Sequence, residues 1–215
     1  MNRLIIRAIE PYADAMAHAT AEDCTEAIRR YSGEVRRAEW LSWRNVAREV
    51  LGEDVHLEYN SIGSPMVTTS SNTPIYISVS HCRSHIAVAL SDAPCGVDVE
   101  WSKRNFDRAA SRFLSFSERM LEFTYPDLMV GAAWCAKESV YKYYCAQGEQ
   151  YPDFLRDIRI VACNLHDGRM MVEAGNHHAV EVSVRWENEL IVTTVGIEIA
   201  QSRLHTAQPT HLEEE

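Results

Sequence analysis

The stretch Gly96-Val97-Asp98-Val99-Glu100 decides how we interpret the rest of this 215-residue chain. Valine at every second position predicts a β-strand, which sends Val97 and Val99 to one face and Asp98 and Glu100 to the other. Two carboxylates roughly 6 Å apart on one face repel each other by about 1–3 kcal/mol, depending on screening. A bound hard cation such as Mg²⁺ turns that repulsion into attraction. The alternative is an edge strand with a solvated acidic face.

A second stretch, Trp134-Cys-Ala-Lys-Glu-Ser-Val-Tyr-Lys142, adds weight to the cation interpretation. The pattern from about 128 to 146 is helical. Trp134, Glu138 and Lys142 are spaced by four residues, so they share one helical face. The opposite, core-facing stripe consists of Ala133, Ala136, Val140 and Tyr144. The alternative is an ordinary surface ion pair between Glu138 and Lys142, worth only about 0.2–0.5 kcal/mol.

Charge and composition exclude some classes of protein. The hydrophobic fraction of 46% and the charged fraction of 24% are those of a soluble globular protein. The formal net charge of −10 argues against a general nucleic-acid binder, which carries a basic surplus. Basic residues nevertheless concentrate in two regions, Arg29, Arg30, Arg36, Arg37, Arg44 and Arg48 in one and Lys103, Arg104, Arg108, Arg112 and Arg119 in the other. Such patches suit a phosphorylated ligand or an acidic partner, and solvated helix faces are the alternative.

The sequence shows neither a signal-peptide pattern nor a membrane-spanning pattern. The apolar run at Leu4-Ile5-Ile6 is too short for a signal peptide, and no segment approaches the roughly 20 apolar residues of a membrane span. The six cysteines form no C-x-x-C pair, which indicates reduced, mostly buried thiols. We therefore expect a cytoplasmic protein without membrane contact.

Periodicity predicts an α+β fold. The pattern over 32–51 is helical, and Gly52 is a plausible C-terminal stop. Alternation of apolar and polar residues predicts strands at 55–59 and 75–80, and the valine period predicts one at 96–100. Short apolar or β-branched runs predict further strands at 3–8, 86–90, 158–161, 169–172, 179–184 and 190–195. Each half of the chain therefore combines a helix with several strands.

From this arrangement we predict two similar α/β subdomains, each a helix packed on a mostly antiparallel sheet, related by a pseudo-two-fold axis. The first subdomain covers 1–101 and the second covers 102–205, with the functional site between them. We expect the acidic end of the chain, 206–215, to be a flexible tail.

Two further places carry chemistry-bearing residues. Ser80-His81 lies where a predicted strand ends, a common location for functional groups. Adjacent residues of an extended chain point in opposite directions, so a nucleophile–base pair is excluded here, and no second ligand pair supports zinc. A hydrogen-bonded turn histidine is the alternative for His81. Glu118 fits a capping box opened by Ser115, and a catalytic role for it stays open.

Taken together, these stretches resemble the 4′-phosphopantetheinyl transferase superfamily, on its longer, two-subdomain side, over roughly residues 30–165. Gly96–Glu100 is similar to the family's G-[IV]-D-[IV]-E, and Trp134–Lys142 to its W-x-x-K-E-[AS]-x-x-K. Ile77-Ser-Val-Ser-His81 resembles the S-x-S-H segment, and Arg36–Arg44 the basic N-terminal helix. One departure is Gly63-Ser64-Pro65, where the family often carries G-K-P, with a lysine that meets a coenzyme A phosphate.

The resemblance implies an enzyme of the holo-[acyl-carrier-protein] synthase type. It would transfer the 4′-phosphopantetheine arm from coenzyme A to a serine of an acyl or peptidyl carrier protein, as in fatty acid biosynthesis, with Mg²⁺ or Mn²⁺ as the metal. The implied metal ligands are Asp98, Glu100 and Glu138, and the implied catalytic residues are Glu138 as base and Lys142 at the transferring phosphate. The implied coenzyme contacts are Arg37, Arg44, Ser80, His81 and Lys142.

Two other functions stay open on the residues themselves. Carboxylates beside a lysine also serve a metal-dependent phosphohydrolase, in which water is the acceptor. A protein that binds coenzyme A or a carrier without turnover is the second alternative, with Ser64 as a sign of lost activity. We expect a monomer, and the carrier's pathway is left open.

Overall fold

The computed structural model describes residues 1–70, 75–121, 126–149 and 153–197. Within these residues the helices are α1 (Tyr12–His18), α2 (Ala21–Arg30), α3 (Glu34–Leu51), α4 (Asp107–Phe113), α5 (Phe116–Arg119), α6 (Pro126–Cys145) and α7 (Phe154–Asp157). The strands are β1 (Asn2–Ala8), β2 (His56–Tyr59), β3 (Pro65–Thr68), β4 (Tyr76–His81), β5 (His85–Ser91), β6 (Gly96–Trp101), β7 (Ile158–Asn164), β8 (Arg169–Ala174), β9 (Val180–Glu187) and β10 (Leu190–Val195).

The strands form three antiparallel groups. The first is a three-stranded sheet in the order β1-β5-β4, and the second is a five-stranded sheet in the order β6-β10-β9-β8-β7. Strands β2 and β3 form a separate two-stranded pair. All the strand pairings described are antiparallel, which confirms the predicted α+β class with antiparallel sheets.

Helix α3 covers the three-stranded sheet. Its buried residues Trp43, Val46 and Ala47 join one apolar cluster with Ile86 and Val88 of β5. The helix ends at Gly52, whose φ of +101° lies in the left-handed region that favours glycine. The helix predicted over 32–51 is therefore confirmed.

Helix α6 lies across the five-stranded sheet, close to the carboxylate strand β6. Ala133, Ala136 and Val140 are fully buried against the sheet, as the predicted stripe requires. A Cβ atom at Gly96 would lie only 2.0 Å from the carbonyl oxygen of Ser139. Glycine at this position therefore lets β6 approach α6 closely, which brings the polar side chains of the two elements within reach of each other.

The two sheets share an apolar interface, and the carboxylate strand lies in it. Ala87 and Ala89 of β5 pack with Val97 and Val99 of β6 and with Val192 of β10. The valines of the opening pentapeptide are thus completely buried, which directs the side chains of Asp98 and Glu100 to the opposite face of β6.

Several boundaries differ from the predictions. Helix α6 begins at Pro126, because proline is well tolerated in the first turn of a helix. Strand β3 and helix α4 lie in stretches that were not assigned to any element. Strand β6, which we placed at the end of the first subdomain, pairs with β10 in the sheet of the second half.

The pseudo-two-fold relation and the division at residue 101 stay predictions, and the predicted tail lies outside the described residues. Among the described residues, no helix combines the length and the apolar character that crossing a membrane requires.

Candidate active site

Asp98 is the most firmly held carboxylate of the site. Its side chain accepts a hydrogen bond of 2.6 Å from Ser80 Oγ on β4, through Oδ1. Lys142 Nζ on α6 lies 2.7 Å from the same oxygen and also donates to the carbonyl of Val97 at 3.1 Å. Asp98 is only 4% exposed, and its second oxygen, Oδ2, is buried without a hydrogen-bond partner. This oxygen therefore has unused hydrogen-bonding capacity, although the protein encloses it.

Glu100 follows on the same face of β6 and carries a different partner. Its carboxylate forms an ion pair with Arg104, four residues further along the chain. The guanidinium of Arg104 also lies 5.2 Å from the ring centre of Phe106 and 5.6 Å from that of Trp134. Burial raises the pKa of Glu100, and the charge of Asp98 adds to this effect while Arg104 opposes it.

Glu138 lies on α6, one turn before Lys142. Burial raises its pKa to about 7, and the negative charges of Asp98 and Glu100 add to this effect, whereas Lys142 lowers the pKa. The three carboxylates are thus close enough to influence one another's ionisation. A carboxylic acid with a pKa near neutrality is suited to accept a proton at physiological pH.

The chemistry of this donor set fits a hard divalent cation. Carboxylate oxygens are the ligands that Mg²⁺ prefers, and the unpartnered Oδ2 of Asp98 is one such donor. No three His, Cys, Asp or Glu side chains of the described residues converge on one point as a finished metal site. Lys142 and Arg104 instead neutralise the two β6 carboxylates.

His81 helps to line a neighbouring cavity of about 270 Å³, whose other lining residues include Tyr31, Arg36, Trp40, Trp43 and Tyr59. Its Nε2 lies 3.4 Å from Nη1 of Arg36, and its Nδ1 lies 3.8 Å from Glu39. Burial lowers the pKa of His81; Glu39 opposes this shift and Arg36 adds to it. Burial thus disfavours the positively charged form of this imidazole.

The other residues predicted to contact the coenzyme are placed differently. Ser80 is directed at Asp98, as described above. Arg44 is 6% exposed, and its guanidinium donates to Asp23 at 2.6 Å and to the carbonyl of Leu57 at 2.8 Å. Arg37 donates to the carbonyl of Tyr31 at 2.8 Å. Their contacts with a coenzyme stay predictions.

Arg36 is a residue that sequence reasoning did not single out, although it lines the cavity beside His81. The signal was present only as a run of arginines on one helix. Which arginine faces β4 depends on how α3 is rotated on the sheet, and the sequence alone does not give that rotation.

Glu118 and Lys137 form a fully buried ion pair beside the site, with Nζ and Oε1 2.8 Å apart. Glu118 also accepts from the backbone N–H groups of Ser115 at 2.7 Å and Ile160 at 2.9 Å. The capping box predicted at Ser115 is confirmed. The same carboxylate in addition fastens α5 and β7 to α6, directly next to Glu138.

The comparison with known families agrees with this geometry. A family model for the 4′-phosphopantetheinyl transferase superfamily matches residues 94–200, the range that contains Asp98, Glu100, Glu138 and Lys142. The chain belongs to the 4′-phosphopantetheinyl transferase superfamily.

Among curated proteins, the chain is 30% identical over 115 residues to the 4′-phosphopantetheinyl transferase AcpT of Salmonella typhi. It is 29% identical over 115 residues to the protein of the same name from Salmonella typhimurium strain LT2. Each alignment covers 50% of this chain and 59% of the relative, so the chain spans less than two thirds of the length of these relatives.

Proposed function

We propose that this protein transfers the 4′-phosphopantetheine arm of coenzyme A to a serine of an acyl or peptidyl carrier protein, with Mg²⁺ or Mn²⁺. The observation that carries the proposal is the contact between β6 and α6. It joins Lys142 to Asp98 at 2.7 Å and places Glu138 one helical turn away, within the range that the family model matches. Both curated relatives are named as transferases of this arm.

Asp98, Glu100 and Glu138 are the residues that would hold the cation. When bound there, a divalent cation neutralises the negative charge of the coenzyme's diphosphate. Lys142 lies where it contacts Asp98, so its ammonium group is within reach of a phosphate beside that carboxylate. In this role Lys142 stabilises charge on the transferring phosphate as a point charge.

Glu138 is the proposed general base. Its pKa of about 7 means that a substantial fraction of the side chain is ionised and competent at neutral pH. It would accept the proton of the carrier serine, directly or through one water molecule. A positioned general base contributes roughly 10²–10⁴-fold to the rate.

The cavity beside His81 is the proposed site for the nucleotide end of coenzyme A. Its aromatic lining offers flat faces to an adenine ring, and Arg36 offers positive charge to a phosphate. Gly63 and Pro65 line the same cavity, so Ser64 lies on the turn where the family often places a lysine. A hydroxyl at that position provides a hydrogen bond but no charge.

The carrier protein would dock near α4 and α5. Phe116 is 81% exposed and Met120 is 66% exposed, and the exposed Arg112 and Arg119 flank them. An apolar centre with basic residues around it suits an acidic partner, whose encounter it would steer in spite of the net charge of −10.

The holo-[acyl-carrier-protein] synthase type, a monomeric state and a place in fatty acid biosynthesis are the finer parts of this proposal. A cytoplasmic location is supported by the thiols, because all six cysteines are free.

Intact-mass spectrometry of an apo acyl carrier protein tests the proposal. The carrier is incubated with this protein, coenzyme A and Mg²⁺, with and without EDTA. We expect a gain of one phosphopantetheine arm that EDTA abolishes. Cleaved coenzyme without a modified carrier would indicate a phosphohydrolase. Bound but unchanged coenzyme, tested over several carriers, would indicate a binding protein without turnover.

A further inference from the structure

Arg104 supplies the positive charge that lies against Glu100 at the carboxylate site. It follows β6 in a turn, in which its backbone N–H donates to the carbonyl of Trp101 at 3.0 Å. Its guanidinium forms the ion pair with Glu100. The side chain of Glu100 is 15% exposed, whereas that of Arg104 is 48% exposed. The carboxylate is therefore enclosed, and its cation has a path to solvent.

Two aromatic rings hold the guanidinium from the other side. The ring of Phe106 belongs to the turn before α4, and the ring of Trp134 belongs to α6, one helical turn before Glu138. A guanidinium at 5–6 Å from aromatic ring centres is attracted to them, which orders the side chain at the site. Arg104 thus bridges the strand that carries Glu100 and the helix that carries Glu138, and its charge also acts on Glu138.

The basic side chains that pair with the two carboxylates of β6 are held differently. Lys142 is 24% exposed and is fixed by both Asp98 and the carbonyl of Val97. It leaves Oδ2 of Asp98 without a partner. The side chain of Arg104 is 48% exposed, twice the exposed fraction of Lys142, and its guanidinium donates to the carboxylate of Glu100. A cation arriving at Glu100 meets a guanidinium already there, and two cations on one carboxylate repel each other.

We propose that Arg104 is a built-in competitor for the divalent cation: it occupies Glu100 in the metal-free protein, is displaced when the cation binds, and so sets the cation concentration at which the site fills. The inference rests on the cation site of the proposed function.

The test measures cation affinity rather than catalysis. Full-length protein, freed of metal and without coenzyme A, is titrated with Mn²⁺, and free Mn²⁺ is followed by electron paramagnetic resonance. We expect Arg104→Gln to bind Mn²⁺ about five- to tenfold more tightly than the unchanged protein. Arg104→Lys keeps the positive charge but loses the planar guanidinium, which can donate two parallel hydrogen bonds to a carboxylate. We expect its Mn²⁺ affinity to lie between that of Arg104→Gln and that of the unchanged protein.

Lys103→Gln is the matched control. It removes the same charge one residue earlier, where the ammonium pairs with the exposed Glu189 instead of the site. We expect its affinity to stay within about twofold of the unchanged protein. If Arg104→Gln and Lys103→Gln raised the Mn²⁺ affinity equally, a long-range charge effect would explain the change, and the proposal that the cation displaces Arg104 would be overturned.

A second measurement observes the displacement directly. The ¹⁵Nε–Hε resonance of Arg104, identified by its loss in Arg104→Gln, should shift when Mg²⁺ saturates the site. A resonance that stays in place, or equal Mn²⁺ affinities in Arg104→Gln and the unchanged protein, overturns the inference while leaving the cation site intact. Failure of every variant to bind Mn²⁺ overturns the cation site itself, and the inference with it.

Discussion

At the residue scale, Ser80 makes a contact that the family resemblance did not imply. Its hydroxyl donates to Asp98 at 2.6 Å and is itself buried. A hydrogen bond to a charged group contributes about 1.5–3 kcal/mol. We therefore regard Ser80 as a positioning residue that holds Asp98, in addition to any contact it makes with the coenzyme.

Ser80→Ala is expected to lower kcat for arm transfer about tenfold, because Asp98 loses the donor that orients it. Ser78→Ala is the matched control: Ser78 is also buried on β4, but its hydroxyl accepts from the backbone N–H of Val97 at 3.0 Å. Urea unfolding should show a similar loss of stability in both variants, whereas transfer kinetics should separate them. Equal kcat values in the two variants would contradict the positioning role.

Glu138→Gln is expected to reduce arm transfer by at least about 10²-fold while coenzyme binding, measured by calorimetry, is retained. The physical reason is that an amide cannot accept the serine proton. Glu149→Gln removes a carboxylate just beyond the end of α6 and is expected to leave transfer unchanged. Full activity of Glu138→Gln would leave the base assignment without support.

Sequence reasoning succeeded at this scale where the pattern is local. The shared face of Asp98 and Glu100 follows from the strand period, and that of Glu138 and Lys142 from the helix period. The partner of Ser80 was not predictable, because it depends on β4 and β6 packing across two sheets. Fifteen or more residues separate those side chains in sequence, and no periodicity connects them.

At the scale of elements, Asp23 fastens α2 to α3. It is 1% exposed and accepts from Arg44 at 2.6 Å and from Arg48 at 2.9 Å. Burial raises the pKa of Asp23, but the hydrogen bonds and charges of Arg48 and Arg44 outweigh this effect and lower it. Two arginines of the basic region that the sequence offered as a possible phosphate site, Arg44 and Arg48, therefore bind Asp23 and hold α2 against α3.

Asp23→Ala is expected to lower the free energy of unfolding by about 3–5 kcal/mol, because the buried Arg44 loses its anion. Replacing Asp23 together with its most buried partner, Asp23→Leu with Arg44→Met, should recover part of that loss, since the buried guanidinium is removed while Arg48 keeps its contacts with the carbonyls of Glu53 and Val55.

Glu26→Gln removes only solvent-screened ion pairs with Arg29 and Arg30 on α2, so we expect it to lower the free energy of unfolding far less than Asp23→Ala does. If Asp23→Ala alone changed the free energy of unfolding only slightly, Asp23 would not be what holds α2 against α3.

Glu118 gives a prediction for pH dependence, since it fastens α5 and β7 to α6. Burial raises its pKa, but Lys137 and the backbone N–H groups of Ile160 and Ser115 outweigh burial and lower it below 4.5. A lowered pKa means that the carboxylate contributes stability above pH 4.5 and loses it as the pH falls through the folded-state pKa.

Glu118→Gln should therefore be less stable than the unchanged protein at pH 7, by roughly 3–5 kcal/mol. The difference in unfolding free energy should shrink below pH 4.5, where the native carboxyl becomes protonated like its amide replacement. Urea unfolding of both proteins from pH 7 down to about pH 3 measures this. Parallel stability curves over the whole range would remove the assignment to Glu118.

Most strands were predictable, some from the alternation of apolar and polar residues and others, such as the buried β5 and β10, from short apolar runs. Strand β3 was missed since it begins at Pro65, in a stretch that reads as a loop; proline is compatible with the first residue of a strand. Helix α4 was missed because 107–113 is short and polar, and only Phe113 of its residues is buried.

At the scale of the whole molecule, charge is distributed unevenly. The chain carries a net charge of −10, yet the region of α4 and α5 presents Arg112 and Arg119 beside the exposed Phe116. Charge reversal at Arg112 or Arg119 is expected to lower kcat/KM for an acidic carrier about tenfold, more at low salt than at high salt, while coenzyme affinity stays the same.

Arg169→Glu is the matched control for this surface, since Arg169 is exposed on β8 and pairs with Glu181. Carrier kinetics measured at two ionic strengths should distinguish it from the variants of the α4–α5 region. If charge reversal at Arg112 and at Arg119 left carrier kinetics unchanged, this surface would have no part in docking.

The pairing of β6 with β10 has a consequence for how the protein forms during synthesis. Trp101 pairs with Leu190 and Gly96 with Val195, so the acidic strand leaves the ribosome about ninety residues before its neighbour. Until then Val97 and Val99 lack their packing against Val192 of β10, and the nascent chain exposes a strand edge with unpaired backbone hydrogen-bonding groups. The five-stranded sheet is therefore completed late, and we expect the nascent chain to be prone to association until β10 has been made.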